Sequence, residues 1–214
     1  MLLIALSLLA GLAAGGAHVL SGPDHLAAVA PLAIRERRLP WLPGVWWGIG
    51  HSCGVWLLAA GAIAFRDWLP VALISTWSER FVGFVLIAIG AWALRRAALA
   101  GREIETDDPR SAAATHHHSA LGIGTVHGLA GATHLLGVLP ALVLPTRTGA
   151  ISYVAGFGVG SIVAMAAFAW LIGRITHLAG GARPHPPRTL WLASGVTAIC
   201  IGACWIVSAE PVAH

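Results

Sequence analysis

Residues 18–31 read HVLSGPDHLAAVAP, and residues 127–140 read HGLAGATHLLGVLP. Seven of the fourteen positions are identical: His18 with His127, Leu20 with Leu129, Gly22 with Gly131, His25 with His134, Leu26 with Leu135, Val29 with Val138 and Pro31 with Pro140. Fainter echoes pair Gly48-Ile49-Gly50-His51 with Gly158-Val159-Gly160-Ser161, and Ile87-Ala88-Ile89-Gly90 with Ile199-Cys200-Ile201-Gly202. Gly and Leu recur by chance in apolar helices. Two His at one offset, found twice, do not, so the chain reads as an internal repeat.

Composition says what kind of repeat. Of the 214 residues, 57% are hydrophobic and 10% charged, with a mean hydropathy of +0.77, outside the range of ordinary soluble domains. A hydrocarbon core about 30 Å thick needs roughly 20 apolar residues per helix. Six uncharged or nearly uncharged runs meet that need, at about 5–34, 44–65, 79–98, 120–144, 149–173 and 189–208. Strand-like alternation is missing from them, which excludes a β-barrel reading. The expected fold is an all-α integral membrane protein of six transmembrane helices. Residues 1–98 form the first three-helix repeat, 99–119 a polar, His-rich linker and 120–214 the second repeat. Three spans per repeat force the second copy through the bilayer upside down, the inverted plan of many secondary transporters. Such folds interrupt their binding helices with Gly or Pro. Ser21-Gly22-Pro23 and Ala130-Gly131 predict broken first and fourth helices.

Orientation follows from Arg, since all thirteen basic residues are Arg. Ten fall in the linkers after spans one, three and five (Arg35, Arg37, Arg38, Arg95, Arg96, Arg102, Arg110, Arg174, Arg183, Arg188), against Arg66, Arg80 and Arg147 elsewhere. That bias puts those linkers in the cytoplasm and both termini outside it, in a multi-pass protein of a bacterial inner membrane. The net charge of +4 is then a topology signal and not a nucleic-acid footprint. The N-terminal apolar run lacks a basic flank and continues past Gly22, so it reads as a retained span. Trp41, Trp46, Trp47, Trp68, Trp77, Trp191 and Trp205 lie near span ends, where an aromatic belt is expected. Cys53, Cys200 and Cys204 form no CxxC pair and read as small packing residues.

Polar residues inside the spans point to function. Asp24 is the acidic residue placed deep in a span, accompanied by His18, His25, His51, His127 and His134. An ionised carboxylate at the bilayer centre costs roughly 2.5–3.5 kcal/mol on insertion scales and needs a partner. Capping of a second half-helix is one role open to Asp24. Holding a cation is another. On an unbroken helix His18 and His25 would stand about 10 Å apart along the axis, and unwinding at Gly22-Pro23 lets them converge. Inverted symmetry predicts a column of imidazoles across the membrane, with His25 and His134 at mid-depth. Imidazoles with one carboxylate suit Ni²⁺, Co²⁺, Cu²⁺ or Zn²⁺ and suit Mg²⁺ or Ca²⁺ poorly. His116–His118 with Glu103, Glu105, Asp107 and Asp108 in the linker could gather metal or form a solvated loop.

At HVLSGPDH and GIGHS the sequence resembles the nickel/cobalt transporter (NicO) superfamily, and within it the UreH-type urease-accessory membrane proteins. The second-half VHGLAGATHLLGVLPAL resembles the UreH-type pattern as well. The resemblance implies handling of Ni²⁺ or Co²⁺, with His18, Asp24, His25 and His51 as ligands; His127 and His134 join them through the repeat. The spacing from His18 to Asp24 is one residue longer than in the better-studied nickel permeases, and their later acidic motifs have no counterpart here.

These readings converge on a secondary transporter, not an enzyme, moving Ni²⁺ or Co²⁺ as cargo with no prosthetic group. No GxxxxGK[ST] provides for ATP, and no HExxH for a zinc protease. A non-transporting membrane protein that delivers metal to urease or hydrogenase maturation partners is the alternative, followed by a small-solute exporter on the same scaffold.

Overall fold

A computed structural model describes residues 1–36, 38–64, 71–99, 109–129, 132–180 and 186–208; side chains at 61–64, 71–79, 109–117, 132–136 and 142 fall outside that description. Eight helices and no strand occur among the described residues: α1 (Leu2–Ser21), α2 (Pro23–Arg35), α3 (Leu42–Ala64), α4 (Val71–Leu99), α5 (Pro109–Leu129), α6 (Ala132–Val143), α7 (Arg147–Gly180) and α8 (Arg188–Ser208). Among the described residues, four segments are long and apolar enough to cross a membrane: α1, Arg80–Leu99 of α4, α7 and α8, with mean hydropathies of 2.0, 1.7, 1.9 and 2.0.

Apolar side chains cover the outer faces of the molecule, and a set of polar ones is buried within its largely apolar core. Leu6, Leu9, Leu57, Phe84, Ile151, Val163, Leu178 and Val196 stand exposed on the outer faces, while Ser7, Asp24, His25, His51, Ser52, His127, Ser161 and Thr176 are buried. A helix of a soluble protein turns its apolar stripe inward and its polar face to water; hydrocarbon as solvent favours apolar side chains on the outer face as well and sends ionisable ones inward.

The first chain break falls where Gly and Pro predict it. α1 stops at Ser21 because Pro23 has no N–H to continue the ladder. Gly22 takes an extended conformation (φ −90°, ψ 100°) and sends its own N–H back to His18 and Val19 carbonyls. Pro23 then opens α2, where its fixed φ suits the first turn. The second expected break, at Ala130-Gly131, lies outside the described residues, between α5 (Pro109–Leu129) and α6 (Ala132–Val143). Helix α5 starts at Pro109, so the second part of the segment expected to be a linker is helical; residues 100–108 lie outside the described residues. Glu36 Oε1 accepts from the N–H groups of Arg38 and Leu39 at 2.9 and 3.1 Å, shaping the turn into α3.

Helix pairing is set by glycines. Three pairs dominate: α1 with α7, α3 with α5, and α4 with α8. A methyl group at Gly11, Gly15, Gly156 or Gly160 would land on a backbone carbonyl across α1/α7. Gly50, Gly54, Gly124 and Gly128 do the same across α3/α5, and Gly83, Gly90, Gly195 and Gly202 across α4/α8. Lipid gives no hydrophobic drive for helix association, so close backbone approach of this kind, with its dispersion contacts, must supply it. Gly11 and Gly15 meet Tyr153 and Phe157 in order, so α1 and α7 run parallel; Gly83 meets Gly202 while Gly90 meets Gly195, so α4 and α8 run antiparallel. Further along α7, which also contacts α2, Ile172 packs against the cluster that includes Ile34 of α2, so α1 and α2 follow successive lengths of α7 in one direction.

One end of the bundle gathers Ile34, Ala93, Ala97 and Trp191. Arg35 and Arg96 both lie over the Trp92 ring there, at 5.7 and 5.8 Å. Trp191 and Trp47 are buried, which corrects their expected role as belt anchors: a Trp near the end of a helix goes to the core when its face meets neighbouring helices. Cys200 and Cys204 are exposed, so they do not pack between helices as expected.

Candidate metal centre

The break at Gly22 builds the site. His18 sits in the last turn of α1, while Asp24 and His25 occupy the first turn of α2. The His18 and His25 rings lie 4.8 Å apart, edge to face, although seven residues of continuous helix would separate them by about 10 Å along the axis. Gly22 stands in the elbow, where a methyl group would strike His25 Nδ1 and Asp24 Oδ1. A side chain at this position and the observed placement of those two groups exclude each other.

Two further imidazoles come from the α3/α5 pair. His51 lies 4.9 Å from His25 and 5.7 Å from His18, ring centre to ring centre. His127 lies 4.8 Å from His25 and 5.8 Å from His51. The contact of Gly128 with the His51 carbonyl holds α5 close enough for His127 to reach the cluster. Asp24, His25, His51 and His127 are at most 3% exposed; His18 is partly exposed.

Asp24 ties the halves together. His25 Nδ1 lies 3.1 Å from Oδ1 and His127 Nε2 lies 3.1 Å from Oδ2. An ionised carboxylate only accepts, so the proton of the first contact sits on His25 Nδ1. No side-chain hydrogen bond caps α2; the carboxylate is turned to the imidazoles, which corrects the capping reading. Its place in the first turn still suits the positive end of the helix dipole.

The arrangement is a compact cluster and not the expected column. Five of the six sequence-derived candidates converge: His18, Asp24, His25, His51 and His127 form two sets of three whose ligand atoms lie within 4.8 Å of one another. His134 belongs to α6, with its side chain outside the described residues, as are those of His116 and His117; His118 is exposed on α5. Imidazole nitrogens and a carboxylate at such distances could hold a divalent transition ion.

Aromatic walls were not anticipated. Phe157 lies 5.4 Å from the His18 ring and Trp47 lies 5.9 Å from the His127 ring. Ser161 Oγ donates to the Phe157 carbonyl at 2.9 Å, and Ser52 Oγ to the Gly158 carbonyl at 3.1 Å. The signal was available: Trp47 and Phe157 each stand immediately before the echoed Gly-Ile-Gly and Gly-Val-Gly.

Fold and site together define an all-helical chain with membrane-length apolar helices around a buried His/Asp cluster. It is similar to two proteins of Arabidopsis thaliana, chloroplast protein FOR GROWTH AND FERTILITY 2 and chloroplast protein FOR GROWTH AND FERTILITY 1. Identity to the first is 34% over 206 residues, covering 92% of this chain and 55% of the relative. Identity to the second is 32% over 212 residues, covering 92% and 58%. The chain thus spans somewhat more than half the length of these plant proteins. It is also similar to the urease accessory protein UreH of Bacillus sp. (strain TB-90), at 29% over 164 residues, 71% of this chain and 69% of the relative. No protein-family model matches, and no solved structure matches.

Proposed function

We propose that the protein is a secondary transporter of the nickel/cobalt (NicO) type, carrying Ni²⁺ or Co²⁺ across a bacterial cytoplasmic membrane through the cluster of His18, Asp24, His25, His51 and His127. The observation that carries this reading is the gathering of three buried imidazoles, the partly exposed His18 and one buried carboxylate among membrane-length helices. Intramembrane ionisable groups are costly and mark ion pathways. Similarity to a protein named for urease accessory work supports nickel as the cargo.

Two inverted three-span halves complete the proposal, with α1/α2, α3 and α4 in the first and α5/α6, α7 and α8 in the second. Support comes from contacts that exchange under the repeat. Gly15 against the Phe157 carbonyl matches Gly124 against the Trp47 carbonyl, since 15 + 109 is 124 and 47 + 110 is 157. Gly160 against Leu12 matches Gly50 against Leu121 in the same way. Even the walls exchange, His18 on Phe157 for His127 on Trp47. By the same operation His134 answers to His25 and joins the candidates.

The Arg bias sets the cytoplasmic side. An interior-negative potential then favours entry of a dication by roughly 4.6 kcal/mol per 100 mV, so no nucleotide is required. Uptake of ⁶³Ni²⁺ into proteoliposomes under an imposed potential tests the proposal. Accumulation above protein-free vesicles is expected, and its loss in His51→Ala. The name of UreH favours a second reading, metal delivery without translocation. Binding with no accumulation would select it.

A further inference from the structure

We propose that His25 is the pivot of two overlapping three-ligand sites, so that a single ion shifts within the cluster by exchanging its other two ligands while keeping this one. The inference rests on the metal reading above. One set is His18, His25 and His51; the other is Asp24, His25 and His127. His25 is the member they share, and its ring stands 4.8 to 4.9 Å from each of the other three imidazoles.

The two sets differ in charge and in access. The first is three imidazoles and includes His18, the one partly exposed member of the cluster. The second is fully buried and carries the carboxylate. An ion arriving at His18 meets the neutral set first and is drawn to the charged one. Asp24 changes role along this path. With the ion in the first set it orients His25 through Nδ1 at 3.1 Å, the carboxylate partner that metal-bound imidazoles usually have. With the ion in the second set Asp24 is itself a ligand. Retaining one imidazole throughout spares a borderline ion a fully undressed intermediate, and adjacent sites of moderate strength are what passage requires. Simultaneous occupancy is disfavoured, because two dications would share one imidazole in a poorly screened interior.

The test uses the purified full chain in detergent with Co²⁺ alone as the probe, read by equilibrium dialysis and by its d–d absorption. Wild type should bind one Co²⁺ per chain. His18→Ala and His127→Ala should each still bind one, with spectra that differ from each other because each leaves the opposite set intact. His25→Ala should weaken binding by at least about a hundredfold, beyond the ~10–100-fold typical of losing an orienting partner. Two Co²⁺ per wild-type chain would overturn the pivot, as would loss of binding in His18→Ala or His127→Ala as complete as in His25→Ala. Should His25→Ala fail to fold, wild-type stoichiometry and the two outer variants decide. Absence of Co²⁺ binding by folded wild type would overturn the metal reading itself, which sets that failure apart from failure of the pivot alone.

Discussion

Asp24 is the residue on which the chemistry turns. Its two oxygens face two imidazoles at 3.1 Å from either side of the α2 start, so an amide would keep the hydrogen bond from His25 while removing the charge that holds a dication. Asp24→Asn is therefore expected to fold and to lose metal-dependent stabilisation. Ni²⁺ at a hundred times its Kd would stabilise wild type by about 2.7 kcal/mol; a hundredfold weaker site under the same conditions gives only about 0.4 kcal/mol. Thermal unfolding with and without Ni²⁺ reads the difference, and an unchanged Ni²⁺ shift in the variant would remove Asp24 from the site. This residue was visible in the sequence because a charge in an apolar run has few bland uses. Trp47 was misjudged for the opposite reason. Hydropathy places a Trp near a span end, but only the face it presents to neighbouring helices decides between belt and core.

At the scale of the helices, two glycines on α5 separate packing from propensity. A methyl at Gly124 would run into the Trp47 carbonyl of α3, whereas one at Gly122 meets nothing within 4 Å. Gly122→Ala should stabilise the protein by up to about 1 kcal/mol through helix propensity alone. Gly124→Ala should destabilise it by about 1–3 kcal/mol through overpacking, and weaken metal binding because α5 carries His127. Denaturant unfolding in detergent measures both, and equal effects would dismiss close approach as the basis of the α3/α5 pair. The helix break at Gly22-Pro23 was legible in advance, because those residues dictate local backbone chemistry, and so was the approach of His18 to His25 that it allows. The arrival of His51 and His127 at the same point was not. Sequence symmetry ranks residues by depth, which suggested a column; the close approach of α3 to α5 that gathers the imidazoles is not encoded in a one-dimensional pattern.

At the scale of the whole molecule, the inverted plan makes a claim about sides of the membrane. If the halves are inverted, the turn between α2 and α3 and the turn between α6 and α7 fall on opposite faces, because three crossings separate them. Leu39 is exposed in the first turn and Thr148 at the start of α7 just beyond the second. In a background with Cys53, Cys200 and Cys204 replaced, Leu39→Cys should react with a membrane-impermeant maleimide only from the cytoplasmic side, and Thr148→Cys only from the outside. In the proposed topology the Arg bias assigns which face is which, while the parity of crossings requires only that they differ. Labelling of both from one side would break the inverted plan and leave the cluster intact, since its distances do not depend on the number of spans. Labelling on opposite faces with the polarity reversed would keep the two halves and overturn the assignment of the Arg-rich linkers to the cytoplasm, and with it the side from which the potential would drive a dication in.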